Sequence, residues 1–224
     1  MSLAEILKWL HIICGSIVMV LGLMQMILPK KGIVHRRIGK LYFILMILVF
    51  LTSFPQAVLA KNWFLASVGL FTLYLVLSGY RFANNKSNLR TNTSDKLICF
   101  LGLLSGFCLV GLTIYFLLYG AGAIAVVPGI FGIILLLNSF ADFRYLFMNA
   151  DPGKHGKMRW FFNHISRMIA SYIAATTAFL VNVQPFGSNV INWILPTIAG
   201  TILIIAISKH YEKKFNITSK KVSV

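Results

Sequence analysis

The sequence predicts an all-α, polytopic membrane protein built as a bundle of seven transmembrane helices. Three observations carry that expectation. Of the 224 residues, 58% are hydrophobic and only 12% charged, whereas soluble domains run nearer a quarter charged. Several apolar runs reach the ~20 residues that span a hydrocarbon core. Lys and Arg gather in alternate connections between those runs, as retention of positive charge on the cytoplasmic face requires.

Read against their breakers, the apolar runs place helices at about 4–28, 41–60, 62–80, 97–119, 122–148, 160–183 and 189–208. The first opens MSLAEILKWLHIICG, without a basic n-region or a small-residue cleavage site, so it reads as a retained span rather than a signal peptide. The second follows the basic stretch LPKKGIVHRRIGKLYF. The third lies between Lys61 and Tyr80, and the fourth follows the polar RFANNKSNLRTNTSDK. The fifth carries VPG at 127–129, where the proline predicts a kink, and ends NSFADFRYLF. The sixth follows NADPGKHGKMR and begins RWFFNHISRMIASY; the seventh follows VQPFGSN. Residues 1–208 thus form one transmembrane domain and residues 209–224 a basic tail.

Orientation comes from counting Lys and Arg. Five fall in 30–40, four in 81–96, four in 144–159 and five in 209–221, eighteen of the twenty-one. The other side receives Lys8 and Lys61, and Arg167 lies within the sixth helix. The N-terminus is therefore expected outside and the C-terminus in the cytoplasm, in a multi-pass protein of the inner (cytoplasmic) membrane. A net charge of +16 is explained by insertion and implies no nucleic acid. Trp9, Trp63 and Trp193 are expected at outer helix ends, and Tyr42, Tyr80 and Trp160 at inner ones. Cys14, Cys99 and Cys108 sit in apolar runs without CxxC spacing, which indicates neither a disulfide framework nor a zinc knuckle.

Polar groups at membrane depth are costly and mark candidate sites. On helix one, His11, Cys14, Gly15, Val18, Gly22 and Gln25 form one stripe, fitted to helix packing. Asn138 and Asp142 share a face of helix five. His164, Arg167, Met168, Ser171 and Tyr172 lie along one side of helix six. An Asp142–Arg167 pair reads either as structural or as a proton or anion site. His35 just before helix two, His155 before helix six, and His164 all belong to the cytoplasmic side; His11 lies toward the outside. Two metal chemistries fit this placement: a b-heme held by His35 and His164, and a zinc held by His35, His155, His164 and a carboxylate, Asp142 or Asp151. No HExxH, phosphate loop or GxSxG elbow is present, and no lysine occupies the middle of helix seven for a retinal Schiff base.

The residues HIICGSIVMVLGLMQ…KKGIVHRRIGKLY resemble the opening of the bacterial membrane proteins grouped as domain of unknown function 2306. Their pattern of an intramembrane His, spaced glycines, then His-Arg, Gly, a basic residue and Tyr falls here on His11, Gly15, Gly22, His35, Arg36, Gly39, Lys40 and Tyr42. The family's late motif, His-x-x-Trp-Met-x-Arg-Ser-Tyr, resembles His164, Met168, Ser171 and Tyr172. Arg167 stands where that motif has Trp, and Ala170 where it has Arg. The resemblance covers the two ends of the chain and implies weight for His11, His35 and His164 without supplying an activity.

Three functions are compatible with these residues. One is a carrier or accessory subunit whose cytoplasmic-leaflet site (His35, Arg36, Asp142, His164, Arg167, Ser171, Tyr172, with His11 further out) binds a ligand such as an anionic lipid. A second is a b-heme redox protein exchanging electrons with a quinone. The third is a metal-dependent lipid hydrolase with Asp142 as general base. The cytoplasmic site is expected to be one cavity lined by His35, His164, Arg167 and Asp142. The charge count makes its own forecast: a reporter active only in the cytoplasm works when fused after Val224 or inserted near Asn92, and is silent near Lys61 or Gly187. Activity at either of the last two would mean that the helix count is wrong.

Overall fold

The computed structural model describes residues 2–30, 32–84, 92–120, 125–148, 153–187 and 189–217. These form seven α-helices and no strand: α1 Leu3–Ile27, α2 Ile33–Leu59, α3 Trp63–Asn84, α4 Thr93–Leu118, α5 Val126–Phe147, α6 Arg159–Val183 and α7 Asn189–Lys214. A 3-10 segment, Gly153–Met158, leads into α6. Local chemistry sets several of the ends. Ser2 and Glu5 form a reciprocal capping box that starts α1, as Asn92 and Asp95 do for α4, each satisfying backbone N–H groups that a helix start leaves open. Gln184 closes α6 in the left-handed region.

Six of the helices are long and apolar enough to cross a membrane, and the chain is an integral membrane protein by that measure. α6, also 25 residues long, falls short because it carries His164, Arg167 and a run of hydroxyls. Its position explains how that is tolerated. α3 and α6 pack on each other at the centre; α3 also meets α2, α4 and α5, while α6 meets α1 and α7. The polar helix is enclosed by the apolar ones.

The structure moves some expected features. α2 begins at Ile33 rather than near 41, so His35 lies in its first turn instead of before it, and α7 continues through Lys214 into the expected tail. Lys and Arg are good helix formers, so the helices outlast the apolar runs. Pro128 falls in the first turn of α5, where its missing N–H is not needed, and the expected kink loses its cause. Trp193 is not interfacial. It is 4% exposed, packed against Phe64 and Phe131, whereas Trp9 and Trp63 remain open at 57% and 55%. The buried residues of α1 are Cys14, Val18 and Gly22, all from the expected stripe.

α4 and α5 approach closely through glycine. A Cβ on Gly132 would lie 2.9 Å from Val110 Cγ2, and 3.0 Å from both Leu109 Cβ and the Val110 backbone nitrogen. Neither backbone can step aside without moving its helix. Gly111, on α4, has nothing within 4 Å of such a Cβ. Gly132→Val should therefore lower stability by ~1–3 kcal/mol, the usual cost of overpacking. Gly111→Val should cost a few tenths at most. Thermal unfolding of the two variants in one detergent makes the comparison, and equal effects would refute the close-packing account.

Candidate functional site

A cavity of about 810 Å³ opens at the end of the bundle where α1 finishes and α2 begins. Its wall follows from the extended start of α2. His35, Gly39 and Tyr42 stand at i, i+4 and i+7, one face of a helix, and all three line the cavity beside Arg36 and Lys40. Gln25 ties this wall to α1, its Nε2 donating to the His35 carbonyl at 2.8 Å. Lys30 folds back over the end of α1 and donates to the carbonyls of Gln25 at 2.5 Å and Met26 at 2.9 Å, a cation on open carbonyls where the helix dipole is negative. Lys30 lies in the connection, half-buried, and burial pushes its pKa down.

The facing wall is α6. His164 Nδ1 lies 2.9 Å from the Gly79 carbonyl. A carbonyl only accepts, so Nδ1 carries the proton and the ring orientation is fixed. Glycine matters at both contacts of α6 here. A Cβ on Gly79 would come within 2.9 Å of Met168 Sδ and 3.2 Å of Arg167 Cβ; one on Gly22 would run into the Tyr172 ring at 2.1 Å. Ser171 gives its proton to the Met168 carbonyl at 2.8 Å, so the Tyr42 hydroxyl donates to Ser171 across 3.0 Å. Tyr80, Met168 and Tyr172 complete an apolar and aromatic depth below the basic rim.

Asp142 and Arg167 form a second, separate cluster. Two hydrogen bonds, 2.6 and 2.8 Å, join the guanidinium to the carboxylate fork-to-fork, and Tyr74 donates its hydroxyl to Asp142 Oδ2 at 2.8 Å. The two charged side chains are 3% and 8% exposed. The Arg167 guanidinium also lies 4.8 Å from the Phe82 ring centre. This cluster ties α3, α5 and α6 together in the interior and does not line the cavity.

The expected single site is thus two. His35, Arg36, His164 and Tyr172 line the cavity, and Ser171 stands behind its wall bonded to Tyr42. Asp142 and Arg167 are taken up by each other, which corrects the expectation that they share the cavity. His11 is elsewhere, its Nδ1 3.3 Å from the Val49 carbonyl and 3.4 Å from Thr52 Oγ1. The four-ligand zinc grouping is not assembled. His155 pairs with Glu212 at 2.8 Å and stacks on Phe162, Asp142 is held by Arg167, and Asp151 lies outside the described residues. Among those residues no three His, Cys, Asp or Glu side chains come together as metal ligands. The hydrolase reading loses its general base by the same ion pair.

Sequence reasoning gave no site role to Lys30 or Tyr74, and named Lys40 only through the family pattern. The two lysines read as topology charges, although Lys40 shares a helix face with Arg36 at i, i+4. Tyr74, a hydroxyl in mid-span, carried a signal of the same kind as Asp142.

Removing one member of the buried pair should expose its cost. Arg167→Met leaves an uncompensated carboxylate and should destabilise by ~3–5 kcal/mol, while the double variant Arg167→Met with Asp142→Leu should regain most of that. Thermal unfolding of the three proteins tests it; additive losses would show that the two groups are not coupled.

No protein-family model, no curated protein and no solved structure matches the chain.

Proposed function

We propose that the protein is an integral-membrane binding protein, a carrier or accessory subunit, that holds an anionic ligand in the cavity at its basic end. The observation that carries this reading is the disposition of charge. Each described acidic side chain is engaged away from the cavity: Glu5 in the cap of α1, Asp95 with Arg81, Asp142 with Arg167 and Glu212 with His155. Lys30, Arg36 and Lys40 line the cavity, and among the described residues no acidic side chain lines it with them. Cations gathered without a counter-charge favour an anion, each contributing about 1 kcal/mol near a membrane surface. The basic end faces the cytoplasm of the inner membrane in this reading, for the reason of charge retention.

A second reading, b-heme held by His35 and His164 in a redox protein served by quinone, is supported only by the cavity the two histidines share. Purified protein lacking a Soret band after heme supplementation removes it.

The test of the main reading is thermal unfolding in nonionic detergent with a short monoalkyl phosphate. Saturation at 100 times Kd should stabilise by about 2.7 kcal/mol. The gain should shrink in high salt and disappear in Arg36→Gln/Lys40→Gln, both of which are exposed side chains and tolerate replacement. An equal gain from an uncharged alkyl glucoside would overturn the anion reading.

A further inference from the structure

Two of the cavity's walls belong to helices whose backbones stay apart. α1 packs on α2 and α6, and α7 packs on α6 and α5; among the described residues no Cα of α1 lies within 8 Å of a Cα of α7. Met26 of α1, Ile207 of α7 and Phe215 just past its end nevertheless line the same cavity, together with Met168 and Tyr172 of α6. Every other neighbouring pair around the cavity is in contact: α1 with α2, α2 with α3, α3 with α6, and α6 with α7. The open seam is therefore the one between α1 and α7.

That seam has a floor. α1 meets α6 deeper in the bundle, where the Tyr172 ring covers Gly22 and Thr176 reaches Met19 Sδ at 3.8 Å. Tyr172 lies thirteen residues past the start of α6, about 20 Å along its axis at the helical rise. The cavity thus runs from the basic rim to a depth inside a hydrocarbon core of ~30 Å. Next to the lining residues Gly22, Met26 and Ile207, the same two helices carry exposed apolar side chains: Leu23 is 52% and Ile27 76% exposed on α1, and Leu203 38% on α7. A slot with such edges opens sideways to lipid chains, whereas the rim opens to water.

We propose that the occupant is an anionic phospholipid that enters laterally from the bilayer through the slot between α1 and α7. Its phosphate lies against Lys30, Arg36 and Lys40, and one chain runs down past Met26 and Met168 to Tyr172. This rests on the anion reading above and adds the class of ligand and its route. A free phosphate uses only the rim and leaves the apolar depth without a purpose. For a lipid, moving a chain from bilayer to slot exchanges one apolar surrounding for another, so the chain fixes position and the headgroup supplies selectivity.

The experiment uses the full chain in nanodiscs with two photoreactive lipids, phosphatidylglycerol and phosphatidylcholine, each with a diazirine in the same acyl chain. Labelled peptides are mapped by mass spectrometry. Phosphatidylglycerol should label residues 22–27, 165–172 and 203–207 several-fold more than phosphatidylcholine does. Arg36→Gln/Lys40→Gln should reduce that labelling to the phosphatidylcholine level, and inorganic phosphate should not displace it. If the two lipids label alike, while inorganic phosphate stabilises the protein as well as a monoalkyl phosphate does, the lateral lipid site is overturned and the anion reading stands. If neither lipid nor any phosphate registers, both fall.

Discussion

The guanidinium of Arg167 cannot be left against lipid, and the centre of the bundle is arranged around that requirement. A charged group at membrane depth costs several kcal/mol unless it is paired or hydrated. Here it receives a carboxylate from α5, with a tyrosine hydroxyl from α3 holding that carboxylate in turn. Hydrophobic replacements of such pairs are often neutral in stability. What the pair adds is position: an Asp142–Arg167 fork forms at one relative height of α5 and α6 and one rotation of each. Apolar faces packing in lipid discriminate far less between such settings.

The fixed setting of α6 determines the cavity. With Arg167 turned toward Asp142, the side chain one turn earlier, His164, meets the Gly79 carbonyl, and Ser171, one turn later, meets Tyr42. Both contacts place α6 opposite the start of α2 at a distance that leaves room between them. The interior pair and the basic cavity are therefore linked without sharing a residue. Because Asp142 is held inside, no carboxylate among the described residues lines the cavity beside Lys30, Arg36 and Lys40. A chain with five acidic residues in 224 has few to place, and those described all brace the fold.

The spans were legible in the sequence because burial in lipid needs only length and apolarity, and both are read directly. Helix ends were less so. The apolar run of α2 ends near Tyr42, yet the helix continues back through six residues with three charges to His35, since a basic side chain at an interface keeps its stem on the helix and its head in water. Trp193 misled for a different reason. An amphipathic ring prefers the interface only when its face of the helix looks outward, and that face is settled by packing on Phe64 and Phe131. In the site, matched depth pointed to His35 and His164 together, and both line one cavity. The Asp142–Arg167 pair was expected as well; what depth alone could not say was that the pair, joined by Tyr74 from α3, would stand apart from the cavity.

For the proposed anionic ligand, Lys30 would couple the cavity's charge to binding. Burial disfavours its ammonium form and pushes its pKa down, while the carbonyls of Gln25 and Met26 hold the nitrogen in place. An anion beside it reverses the balance, since a negative charge within reach favours the protonated form. Binding then raises the pKa of Lys30 again, and by linkage the bound state holds more protons than the empty one across the interval between the two values. Affinity is full below the depressed pKa, where the lysine is charged before the ligand arrives, and declines as pH rises through it. Arg36 and Lys40 line the same rim beside it. Lys30 thus adds a proton-linked part to the attraction that an anionic headgroup would meet at the rim.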